Sequence, residues 1–312
     1  MKLSQAVDLY IQRKQDAGLR FVSPTNRLRS LLRHCGDTDL HRITTQHVTA
    51  FLDGSGSMPS GWNGKRGTLR TFFDYWTARG RLKSSPLPSS APKVTQSFIP
   101  YIYSRSDLRS LLDAVPRGQR RAACVMSEGT FRTLLLFLYA TGMRLGEALR
   151  LRLADVDLTL GIVTIRDTKF YKSRLVPLGP DIERLTRQYL YQPGRRNQPY
   201  RSLFQTKSGN PIPAQVAGTS FSRLRRIAGI ARRDDSYFQP RLHDLRHTFA
   251  VHRLTEWYRQ NADVQRLLPA LSTYLGHVDL SATQRYLTMT PELLQQANRR
   301  FEQYACGGAD ER

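Results

Sequence analysis

Through the first ninety residues, apolar side chains recur with the 3.6-residue period of a helix. Leu3, Ala6, Val7, Tyr10 and Ile11 form one stripe at i, i+3, i+4 spacing, and Leu28, Leu31 and Leu32 another. Val48, Phe51 and Leu52 make a third face, and Leu69, Phe72, Phe73 and Trp76 a fourth. Between these last two, Asp53-Gly-Ser-Gly-Ser-Met-Pro-Ser-Gly61 is a loop by composition. The pattern predicts a small four-helix domain over residues 1–83. Pro and Ser then crowd the aperiodic stretch Ser84 to Pro92, which predicts an interdomain linker over residues 84–104.

A second domain is expected over residues 105–312. Asp107 to Val115 resumes a helical pattern, with Ser106 or Asp107 as its cap. Phe131 to Tyr139 is an almost continuous apolar helix that stops at Thr141-Gly142. A new helix restarts near Leu145, which places Arg144 at a helix junction in an apolar setting. Gly161 to Ile165 and Leu175 to Leu178 read as strands, and the polar segment Arg166 to Arg174 between them as a turn carrying Lys169 and Lys172. From Asp181 the chain reads as helical again, broken by loops at Pro193 to Arg201 and Lys207 to Pro213. The expected fold is mainly α with a small β-sheet.

Charge narrows the partner. Lys and Arg number 48 against 25 acids, a net charge of +23. Such an excess favours a polyanion, because each phosphate that is neutralised releases condensed counterions. No stretch approaches the roughly 18 apolar residues of a membrane helix, and the N-terminus lacks a secretory apolar core. Cys35, Cys124 and Cys306 are isolated and show no Cys-x-x-Cys spacing, which argues against a disulfide framework or a zinc site. The expected compartment is the reducing cytoplasm.

Four separated segments carry the candidate chemistry: Ala140-Thr-Gly-Met-Arg144-Leu-Gly-Glu147, His243-Asp-Leu-Arg246-His247, Leu275-Gly-His277, and Tyr286. A planar guanidinium suits the charge that develops on a phosphodiester, since it donates two hydrogen bonds and stays ionised. Arg144 also has a structural alternative, an i+3 ion pair with Glu147. His243 and Arg246, three apart, can approach one group together, and the histidine can move a proton. Taken alone, this pair also fits a solvated helix face. Tyr286 supplies a phenol, which needs nearby cations or a base to act as a nucleophile. In isolation it reads as an amphipathic packing residue, and His277 as a helix cap or a loop histidine. Lys169 and Lys172 sit where a lysine can protonate a leaving oxygen, or simply face solvent.

Taken in order, these segments resemble the tyrosine recombinase (phage integrase) family. Ala-Thr-Gly-Met-Arg144 resembles its first-arginine box, His243-x-x-Arg246 its His-x-x-Arg box, Leu-Gly-His277 its second-histidine box, and Tyr286 its nucleophile. Lys169, six residues before Leu175, falls where the family's hairpin lysine falls. The resemblance implies that Tyr286 attacks the scissile phosphate to give a 3′-phosphotyrosyl link. Arg144 and Arg246 would hold that phosphate with His277 assisting, Lys169 would act as general acid, and His243 would help proton transfer at the tyrosine. It further implies a helical, SAM-like core-binding domain and a mixed α/β catalytic domain forming a C-shaped clamp on double-stranded DNA. Neither ATP, metal nor other cofactor is expected. A homo-tetramer on DNA is expected, coupled by a tail helix with Leu293, Leu294, Ala297 and Phe301, docked in cis or in trans.

Two other functions compete. A type IB topoisomerase shares this chemistry and would relax supercoils without paired sites. A catalytically silent DNA-binding scaffold would have lost members of the set, and none is missing.

Overall fold

A computed structural model describes residues 1–19, 21–54, 59–90, 99–166, 173–192, 198, 200–234, 238–277, 279–288, 294, 295, 297–299 and 302. The chain divides into two compact units, Met1–Ser97 and Phe98–Arg312. It is mostly helical, with one three-stranded sheet among the described residues.

The first unit contains α1 (Leu3–Asp16), α2 (Val22–Cys35), α3 (Thr45–Asp53) and α4 (Pro59–Ala78). All four apolar stripes face one core, in which Tyr10, Leu28, Leu31, Phe72 and Phe73 are fully buried. The aromatic rings interlock edge to face, as with Tyr10 on Phe72 at 5.3 Å between centroids. The predicted loop is shorter than its composition suggests. Pro59, Ser60 and Gly61 already belong to α4, because a proline preset near φ −65° is well suited to a helix's first position. Leu87 packs against this core, and Arg66 donates to the Pro88 carbonyl at 3.3 Å.

The second unit opens with α5 (Arg105–Gln119). Its cap is Ser104 rather than Ser106 or Asp107: Ser104 Oγ accepts from the Asp107 N–H at 3.0 Å, and Asp107 reaches back to the Ser104 N–H at 2.9 Å. This is a reciprocal capping box one turn wide. Next come α6 (Glu128–Thr141) and α7 (Leu145–Arg150), then β1 (Val156–Asp157), β2 (Ile162–Ile165) and β3 (Arg174–Pro177). The strands form an antiparallel meander in which Ile165 pairs with Arg174 and Val163 with Val176. The two-residue strand β1 carries no alternation for sequence reading to detect. The helices α8 (Pro180–Leu190), α9 (Ala214–Ile227), α10 (Asp244–Arg259), α11 (Val264–Leu275) and α12 (Ser281–Gln284) complete the unit.

α6 is apolar around most of its circumference, with Phe131, Leu134, Phe137 and Leu138 buried, so it runs through the main core. A second cluster joins Phe249, Val251 and Leu254 of α10 to Leu268, Leu271 and Leu275 of α11, and includes Tyr286. Among the described residues, no helix is long and apolar enough to cross a membrane. Lys169, Lys172, Leu293 and Phe301 lie outside the described residues.

Candidate active site

Two helix ends build the site. α6 stops at Gly142, whose φ of 59° is left-handed, and α11 stops at Gly276, with a φ of 69°. Glycine adopts this conformation without the strain a side chain brings. Space also demands glycine at both positions. A Cβ on Gly142 would lie 2.4 Å from Phe249 Cδ1, and one on Gly276 would lie 2.7 Å from Arg174 Nη1.

The exposed carbonyls of these two turns receive the arginines. Arg246, only 3% exposed on the first turn of α10, donates Nη1 to Gly142 O and Nη2 to Leu275 O, each at 2.8 Å. Arg144 begins α7 and donates Nη2 to Gly276 O at 3.1 Å and Nη1 to Glu147 Oε1 at 2.9 Å. The ion-pair alternative for Arg144 is therefore real, yet it does not enclose the side chain. Although its neighbour Met143 is buried, the Arg144 side chain is 39% exposed. Glu147 is buried and also receives both guanidinium nitrogens of Arg174, at 2.7 and 3.2 Å. Burial opposes ionisation of Glu147, but hydrogen bonds from Arg174 and Arg144 hold its carboxyl down to about 2.

Histidines and the tyrosine close the cluster. His277 directly follows Gly276, and its Nδ1 shares a 2.6 Å hydrogen bond with the buried Thr283 hydroxyl. The His277 ring is 6.1 Å from the Tyr286 ring and nearly parallel to it. His247 lies 5.6 Å from Tyr286 and 5.1 Å from His243, centroid to centroid. Burial, reinforced by neighbouring cations, lowers His243 and His277 to about 4 and His247 to about 3. All three are neutral at pH 7. Burial lowers Arg246 to about 10, still fully charged near neutrality. Burial raises the Tyr286 phenol, while Arg246, by charge and hydrogen bond, and Arg144 pull it back down. Arg246 and Arg144 are thus the guanidinium groups that act on the Tyr286 phenol, while the Glu147 carboxylate is shared between Arg144 and Arg174.

The family model for the phage integrase family matches residues 105–292, a span that contains every member of this cluster. The chain belongs to the phage integrase family. Its relatives in the family include a protein of Sinorhizobium fredii (strain NBRC 101917 / NGR234) named as an integrase/recombinase, y4rB. That protein is 37% identical over 96% of each chain. The tyrosine recombinase XerD of Listeria innocua is 29% identical, over 90% of this chain and 88% of its own. A lambda integrase tetramer bound to a Holliday junction has a similar fold, with a TM-score of 0.66 and 18% identity, covering 89% of this chain and 78% of that one.

In this integrase-family chain the fold brings together Arg144, His243, Arg246, His277 and Tyr286 from four distant segments. The remaining predicted member, Lys169, is outside the described residues. Arg174 is the residue sequence reading missed, since a lone arginine ahead of a short strand resembles any solvated turn. In the basic stretch Arg223 to Arg233, three arginines make internal hydrogen bonds. Arg223 donates to Gly118 O and Cys124 Sγ, Arg225 to Ile230 O, and Arg232 to Ile99 O and Asp234. These three arginines hold loops in place rather than facing outward. Among the described residues, no cluster of metal-binding side chains occurs.

Proposed function

We propose that this integrase-family chain recombines DNA at specific sites by cleaving and rejoining it through Tyr286. The observation that carries this reading is the convergence of Arg144, Arg246, His277 and Tyr286 on the single turn that ends α11. The Tyr286 oxygen attacks the scissile phosphorus as the bond to the 5′ oxygen breaks. This leaves a 3′-phosphotyrosine and a free 5′-hydroxyl. Arg144 and Arg246 neutralise the non-bridging oxygens in the transition state, where fixed donors act most strongly. A neutral histidine, His243, accepts the phenol proton, and Lys169 supplies one to the leaving oxygen. His277, oriented by Thr283, donates to the phosphate. Attack by a 5′-hydroxyl from another strand reverses the step, so neither ATP nor metal is consumed.

Residues 1–83 and 105–312 would close on duplex DNA as a clamp, with the segment 84–104 passing between them. Recombination would proceed in a cytoplasmic homo-tetramer through a Holliday junction, with the C-terminal tail coupling protomers. The net charge of +23 supports the DNA partner, and the lambda integrase tetramer is a precedent for the assembly. Near full-length similarity to an integrase/recombinase supports recombination over supercoil relaxation.

The test uses duplexes selected from a random-sequence library by binding to the full chain, then nicked at tiled positions. A nick beside the scissile phosphate lets the short 5′-hydroxyl fragment escape and traps the covalent adduct. A protein–DNA adduct joined through a 3′ phosphate is expected, and Tyr286→Phe should abolish it while retaining binding. An undiminished adduct in that variant, or none with the parent protein on any selected duplex, overturns the reading.

A further inference from the structure

The Glu147 carboxylate lies between two guanidinium groups that hold it differently. Arg174 binds it with two nitrogens, Nη2 to Oε2 at 2.7 Å and Nη1 to Oε1 at 3.2 Å. Arg144 reaches only Oε1 with its side chain, at 2.9 Å. Forked pairing of this kind is the stronger and more directional of the two. The side chains of Arg174 and Glu147 are 12% and 4% exposed, so their charges cancel inside the protein, whereas Arg144 is 39% exposed.

Arg174 grips the site at a second point. Its Nε donates to Tyr274 O at 3.0 Å, one residue before the carbonyls of Leu275 and Gly276 that seat Arg246 and Arg144. Its guanidinium also fills the space that a Cβ on Gly276 would need.

We infer that Arg174 is a positioning residue: by cancelling the charge of Glu147 and pinning the last turn of α11, it leaves Arg144 open to the scissile phosphate. Without Arg174 the buried carboxylate has one cation left to pair with, and Arg144 closes onto it. The inference rests on the role proposed above for Arg144 and Tyr286.

Single-turnover adduct formation on the nicked, selected duplexes tests it, with affinity measured separately by gel shift. Arg174→Met should slow cleavage about 100-fold, the scale on which a misplaced group acts, with affinity nearly unchanged. Arg174→Lys, which keeps the charge without the fork, should fall between parent and Met. The deciding variant is Arg174→Met combined with Glu147→Gln. Removing the stranded carboxylate should recover about tenfold of the lost rate, because the cost lies in an uncancelled buried charge. A purely structural arginine would instead lower affinity and melting temperature together, and a second substitution would bring no relief. If Arg174→Met melts below the assay temperature, Arg174→Lys with and without Glu147→Gln makes the same comparison. Cleavage by Arg174→Met as fast as the parent, or no gain on adding Glu147→Gln, overturns the inference while leaving the Tyr286 reading intact. Failure of the unsubstituted protein to form any adduct overturns both.

Discussion

Arg144 and Arg246 donate to consecutive carbonyls of one turn, Gly276 O at 3.1 Å and Leu275 O at 2.8 Å. Arg246 also reaches Gly142 O at the end of α6, so it spans both helix ends, while the Arg144 side chain stays 39% exposed. The orphan carbonyls of two helix C-termini thus fix the geometry of a cationic pair.

Arg246→Lys should cut single-turnover cleavage by on the order of 10² to 10³, the usual effect of losing one transition-state donor. An ammonium is a point charge on a flexible stem and does not reproduce a planar fork bridging two carbonyls. DNA affinity by gel shift should change little. Equal losses in affinity and cleavage would make Arg246 an anchor only.

Thr283→Val keeps shape and burial but deletes the hydroxyl that holds His277 Nδ1 at 2.6 Å. Cleavage should fall several-fold, in line with about 1 kcal/mol for one lost hydrogen bond. Binding should hold. An unchanged cleavage rate would show that the orientation of His277 does not matter to the chemistry.

Two glycine substitutions should separate sharply in urea unfolding. Gly142→Ala places a Cβ 2.4 Å from Phe249 Cδ1 at a φ of +59°, and should cost at least about 2 kcal/mol. Gly179→Ala has a φ of −70° and open space around it, and should stay within about 0.5 kcal/mol of the parent. Similar losses at both positions would refute the close-packed reading of the α6 end.

Stability should fall with acid over a defined window. His243 and His277 titrate near 4 and His247 near 3 when folded, against 6.5 for an unperturbed histidine. The unfolded chain therefore binds more protons as pH drops below 6.5, and stability is lost progressively down to those folded values. Glu147, at about 2 folded against 4.5, extends the loss below pH 4.5. Thermal melts should show a decline from pH 6.5 to 4 that is shallower in His247→Asn. Parallel pH profiles for parent and variant would contradict a neutral, buried His247.

Much of this protein is legible in its sequence. Periodicity revealed the helices of the first unit, because Leu3, Ala6, Val7 and Tyr10 must share a face to leave water. The order and spacing of the Arg144, His243, Arg246, His277 and Tyr286 segments pointed to their chemistry, since side-chain type alone decides what can bind a phosphate or attack it. Only the tertiary structure decided how those groups are held. The pairing of Glu147 with both Arg144 and Arg174 joins positions that no local pattern links. The seats at Gly142, Leu275 and Gly276 are backbone carbonyls, which carry no residue-specific signal. The commitment of Arg223, Arg225 and Arg232 to internal acceptors is equally invisible in a count of charges. Local sequence sets which faces are apolar and which groups are reactive. Long-range packing alone sets which charges cancel one another and which stay open to a ligand.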